Sequence, residues 1–137
     1  MPLGLGTLQV MTADDAGGDV TEAAWQKLLR SDRVDGALVQ AAYAEPRLRQ
    51  LFPWVGMWEL HFSRCTEYPL TWDIPYISPL KGGGFLVAGP SREQSVGPAE
   101  SAEQAAAIVV EHLPAACGPA FLGNRHELAE KEQSAPQ

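Results

Sequence analysis

Clustered positive charge is missing from this sequence. Its 137 residues carry 10 Lys and Arg against 17 Asp and Glu, a net charge of −7, and the ten cations are scattered. Binding a nucleic-acid backbone needs grouped cations that displace counterions, so nucleic acid is excluded as a partner. Cysteine is scarce: Cys65 and Cys117 have no CxxC spacing and no His/Cys cluster beside them. No zinc site is therefore read, and two free thiols fit a reducing compartment better than a disulfide does. Apolar runs stop far short of the ~20 residues that cross a bilayer. The start, Met1-Pro2-Leu3-Gly4, lacks a basic stretch ahead of an apolar one, so the expectation is a cytoplasmic protein with no membrane partner. Nucleotide motifs are missing too. Lys81 precedes Gly82-Gly83-Gly84 instead of closing it and no helix start follows, so the run is a turn, not a phosphate loop, and no cofactor is expected.

What remains is ordinary globular composition, 45% hydrophobic and 20% charged. A chain of this length fits one core, burying roughly two thirds of its surface. Residues 1–20, with Asp14-Asp15-Ala16-Gly17-Gly18-Asp19, read as a flexible leader holding at most a short strand at 7–11. One domain follows over 21–125, then a flexible polar tail over 126–137. Thr21 is placed to cap a helix over 22–30 with Trp25, Leu28 and Leu29 on one face. Asp35 caps a second carrying Leu38, Ala41 and Ala42, which Glu45-Pro46 ends. Pro46 opens a third over 46–51. The clearest helix, 101–113, carries Ala102, Ala105, Ala106, Val109, Val110 and Leu113 as one stripe and stops at Pro114.

Between these helices the period changes to two. Over 57–65, Trp58, Leu60 and Phe62 fall on one face and Glu59, His61, Ser63 and Cys65 on the other. Over 71–77, Trp72, Ile74 and Tyr76 alternate with Thr71, Asp73 and Pro75, and Pro75 suits an edge strand. The glycine turn leads to a third strand, 85–88; residues 91–99 read as a polar loop and 119–123 offer a further short strand. The expected fold is α+β: N-terminal helices, a three-stranded antiparallel meander, and helix 101–113 packed on the face lined by Trp58, Leu60 and Phe62.

Chemistry concentrates on the polar face of the first strand. Glu59, His61, Ser63 and Cys65 supply an acid, a base and two nucleophiles, although i and i+2 on a strand lie about 6.5 to 7 Å apart, too far for His61 to activate Cys65 without a bend. A catalytic reading makes His61 the base, with Glu59 or Asp73 orienting it or acting as acid. The bland reading is a solvated outer face with ordinary cross-strand pairs. Arg64 suits a carboxylate or phosphate ligand, or a structural pairing with Glu67 or Asp73. Trp54, Trp58, Tyr68, Trp72 and Tyr76 are numerous enough to wall an apolar pocket, or to be core. His112 suits the end of its helix, and Cys117 reads as a packed thiol.

At Leu51-Phe52-Pro53-Trp54, at His61-Phe62-Ser63-Arg64-Cys65-Thr66, in the turn and strand over 82–87, and from 105 through Leu113-Pro114-Ala115-Ala116-Cys117-Gly118-Pro119-Ala120, the chain resembles a small actinobacterial family of unknown function labelled as natural-product-biosynthesis proteins. The resemblance spans about residues 25–123 and brings no catalytic residues with it. It implies a genomic association with natural-product biosynthesis and no particular reaction. The leading expectation is an accessory protein of specialised-metabolite biosynthesis that binds a small molecule or modified peptide, with Trp54, Ser63, Arg64, Cys65, Trp72 and Tyr76, read from the residues themselves, as candidate ligand contacts. Two alternatives stand beside it: a cofactor-free cyclase or isomerase using His61, and a module that binds a biosynthetic partner protein through its edge strand or aromatics.

Overall fold

A computed structural model describes residues 13–91, 94–114 and 117–134. The short strand expected at 7–11 lies outside these residues. Helix α1 (Ala13–Leu29) begins well before Thr21, which is an interior helical residue and not a cap. Trp25 projects from it into the core, fully buried, and its indole N–H donates to the Leu51 carbonyl at 3.0 Å. Helix α2 (Gly36–Ala44) is capped as expected: Asp35 Oδ1 accepts from the amides of Ala37 and Leu38. Helix α3 (Pro46–Arg49) is a single turn, shorter than expected because the chain enters a strand directly after Leu51.

The sheet has five strands, not three: β1 (Phe52–Gly56), β2 (Glu59–Ser63), β3 (Tyr76–Pro79), β4 (Phe85–Ala88) and β5 (Ser95–Ala99), antiparallel in the order β1-β2-β3-β4-β5. The two unexpected strands are the edges. β1 contains Pro53, and β5 contains Gly97 and Pro98, residues that weaken a strand reading but are tolerated where one side of the ladder is unpaired. β3 starts at Tyr76, so 71–75 is not strand, and β3 lies at the centre of the sheet, not at its edge. Ile74 enters the core while Trp72 is exposed, which breaks the expected alternation.

One face of the sheet packs on the helices. Leu60, Phe62, Ile77, Phe85 and Val87 share a core with Trp25, Leu38, Leu48 and Val109. Helix α4 (Ala102–Glu111), capped by Ser101, buries its alanines over β3, β4 and β5 and against α2. Trp58 does not join that face: it stands in the β1–β2 turn, 61% exposed. The residues read as a tail form helix α5 (Arg125–Ser134). Asn124 and Glu127 start it reciprocally, each side chain accepting the other's backbone N–H at 3.0 and 2.9 Å, and Leu128 is buried beneath it. The stretch 119–123 contributes a single parallel bridge, Cys65 to Phe121, rather than a strand. No described helix is long and apolar enough to cross a membrane.

Candidate functional site

The outer face of the sheet carries a row of rings set by strand register. Trp54 of β1 lies opposite His61 of β2, and the Leu60–Ile77 pairing puts Tyr76 of β3 on the far side of His61. The imidazole is stacked between both, 4.0 Å and 15° from the Trp54 ring, 4.7 Å and 22° from Tyr76, with Trp72 tilted against it at 5.1 Å. Gly89 makes room for this stack. It has φ +92°, and a Cβ there would fall 2.7 Å from the Tyr76 ring. The Trp72 indole N–H is held by the Pro90 carbonyl.

Glu59 joins the row, its Oε1 3.2 Å from His61 Nε2. Glu59 and His61 are 8% and 4% exposed, so the polar face of this strand is buried under aromatics and not solvated. The structure thus brings together Glu59, His61, Trp54, Trp72 and Tyr76 from the expected set. Asp73 is engaged elsewhere: its Oδ2 accepts from Arg64 Nε at 2.8 Å and lies 2.7 Å from Nη2. Arg64 Nη1 donates to Glu132 of α5 at 2.8 Å. Burial opposes the charge of Arg64, but hydrogen bonds to Asp73 and Glu132 outweigh it and raise the guanidinium above its usual range.

Ser63 and Cys65 are absorbed by the loop that follows β2. Ser63 Oγ donates to the Cys65 carbonyl at 2.8 Å and accepts from the amides of Cys65 and Thr71. Cys65 is fully buried, its thiol 3.7 Å from the carbonyls of Glu67 and Pro69. Thr66 accepts from the Gly123 amide at 3.0 Å. In the segment His61-Phe62-Ser63-Arg64-Cys65-Thr66, these four residues after Phe62 therefore fasten the loop and α5 to the sheet. Tyr68 is exposed and apart from the rings. Cys117 is half-buried, and burial pushes its thiol up. Among the described residues no group of three His, Cys, Asp or Glu side chains is placed to hold a metal.

Trp54 also borders a cavity, a groove of about 610 Å³ between the C-terminal part of α1 and strand β1. Ala24, Lys27 and Leu28 of α1, Ser31 and Arg33 just after it, Phe52 to Gly56 of β1, and Met57 and Trp58 line it. The β1–β2 turn has two central residues, Met57 at φ 53° and Trp58 at φ 69°. Two left-handed residues in a two-residue hairpin are the mark of a type I′ turn, where Asn-Gly is favoured. Large side chains there cost roughly 1 kcal/mol or more each. Both point outward, 79% and 61% exposed. Sequence reasoning missed Lys27, Arg33, Val55 and Met57. The one local signal was a two-residue connection, Met57-Trp58, with neither Asn nor Gly in it.

A family model described as "Family of unknown function (DUF6193)" matches residues 19–124, and the chain belongs to that family. No curated protein matches the chain. No solved structure matches it either.

Proposed function

We propose that this member of the family is a small-molecule-binding protein whose site is the groove between α1 and β1. One observation carries the reading: the β1–β2 turn that lines the groove places Met57 and Trp58 in left-handed conformations that favour Asn and Gly, and exposes both. Local strain of this kind persists where something other than folding selects the side chains. At about 610 Å³ the groove lies in the range of roughly 300 to 1,000 Å³ that suits a drug-sized ligand. Its aromatic and aliphatic walls suit an apolar body. The resemblance to proteins labelled for natural-product biosynthesis supports a metabolite or modified peptide as the ligand, with an accessory role in its production.

Catalysis at His61 is the less favoured reading. The imidazole has a ring on each face and Glu59 at Nε2, and His61 is not among the groove's walls. A base in that position would have to displace a stacked ring to reach a substrate.

The test is a titration with the neutral apolar fluorophore phenylnaphthylamine. Saturable binding is expected for the wild-type chain, weakened about tenfold or more in Met57→Asn/Trp58→Gly, whose circular dichroism remains that of the wild type. Binding that is absent from the wild type, or undiminished in the folded double variant, rejects the groove as the site.

A further inference from the structure

The groove is electrically one-sided, and we infer that its ligand is an anion: a flat apolar body bearing a carboxylate, sulfonate or phosphate. This rests on the groove being the binding site and adds the chemistry of what enters it. Lys27 and Arg33 both border the cavity, and no Asp or Glu is among its walls. That composition runs against the chain as a whole, in which acids outnumber bases by 17 to 10. Among the described residues neither side chain makes an ion pair.

Ser31 lines the same cavity, and its hydroxyl oxygen accepts the Arg33 amide at 3.0 Å. That bond fixes the hydroxyl and leaves its hydrogen to donate. Three hydrogen-bond donors, an ammonium, a hydroxyl and a guanidinium, therefore border a cavity that Leu28, Val55, Met57 and Trp58 also line. Lys27 sits in the last turn of α1, where a cation already complements the helix dipole. Arg33 lies beyond the helix and has no such duty, so discrimination for charge falls to it first. A guanidinium can grip an oxyanion through two parallel N–H bonds, which an ammonium cannot.

The arrangement sorts ligands by their two ends. A neutral apolar molecule fills the walls and leaves the donors to water. A cation of the same shape meets two like charges. An anion gains contact at both ends, and the overall negative charge of the protein disfavours it everywhere else.

Two fluorophores with the same ring framework provide the test: anilinonaphthalene sulfonate, an anion, and neutral phenylnaphthylamine. Each is titrated into the wild type, Arg33→Gln and Lys27→Gln, at low and at raised salt. Because both cations are exposed, the expected preference is modest, about three- to tenfold for the sulfonate. It should shrink in Arg33→Gln, shrink less in Lys27→Gln, and fade with salt, while affinity for the neutral probe stays constant throughout. Equal affinity for the two probes in the wild type, or a preference untouched by both substitutions, overturns the anion inference and leaves the groove standing. If neither probe binds, the groove reading itself fails and the inference falls with it.

Discussion

The strained β1–β2 turn makes a prediction that separates backbone conformation from side-chain contact. Met57→Asn/Trp58→Gly and Met57→Ala/Trp58→Ala both delete the exposed apolar groups. They lose nearly the same contacts, since Met57 and Trp58 are already 79% and 61% exposed. They differ in what they do to φ values of 53° and 69°. Asn and Gly adopt such values readily, whereas alanine retains the Cβ clash, at roughly 1 to 2 kcal/mol per residue. Summed over two residues, and allowing for the weaker preference of Asn, the Asn-Gly variant should exceed the Ala-Ala variant by about 2 kcal/mol. Unfolding entropy near the midpoint is about 2.1 cal/mol/K per residue. For 137 residues that makes 1 kcal/mol worth about 3 to 4 °C, so the two melting temperatures should differ by about 7 °C. Differential scanning calorimetry measures this directly, and guanidinium titration at fixed temperature provides an independent value. Midpoints within about 1 to 2 °C of each other, or the alanine pair the more stable, would refute the strain and with it the observation on which the proposed function rests.

Replacing His61 with alanine removes the middle ring of the Trp54–His61–Tyr76 row and should cost about 2 to 4 kcal/mol, read as a fall in melting temperature of about 7 to 14 °C. A midpoint that holds or rises would instead mark a residue kept for chemistry and revive the catalytic reading. Arg64→Ala unties α5 from Asp73 and the loop after β2, so amide exchange over residues 125–134 should accelerate well before that of β2 and β3; uniform exchange would contradict the fastening role. Hydrogen bonds from Tyr43, then Gln26, hold the Glu22 carboxyl below its usual range, against some desolvation. Its ionised form is thus favoured by folding. The contribution is present above the ordinary glutamate pKa and is lost as pH falls through the depressed folded value, so Glu22→Gln should flatten the acid limb of a stability-against-pH curve, and an unchanged limb counts against the pair.

How much of this molecule was legible in its sequence depended on whether each element satisfied its own local rule. Helix α4 did, since alanines at helical spacing behind Ser101 specify both the element and its buried face. Asp35 and strand β4 did as well. The edges were illegible for a physical reason: Pro53 in β1 and Gly97-Pro98 in β5 weaken strand propensity, and pairing with β2 and β4 overrides that weakness only once the sheet exists. Helix α5 was legible in principle, because Asn124 and Glu127 form a capping pair, but its mean polarity argued for a tail. The burial of Glu59 and His61 was hidden because it comes from rings on β1 and β3 and in the loop before β3.

Trp58 is the instructive failure. Alternation from Trp58 through Phe62 places it in phase with the core, and only the backbone at Met57 and Trp58 takes it out. The same fact hid the groove, which is lined by residues of α1 and β1 and by a turn built of residues that do not favour turning. Lys27 and Arg33 look like ordinary surface until they are seen to line one cavity. Foldable sequences are locally consistent almost everywhere, so a place where pattern and conformation disagree, and where large apolar groups are exposed as a result, is where selection for something other than stability should be sought. In this chain that disagreement and a cavity of ligand-binding size meet at the same two residues, a coincidence that folding alone gives no reason to expect.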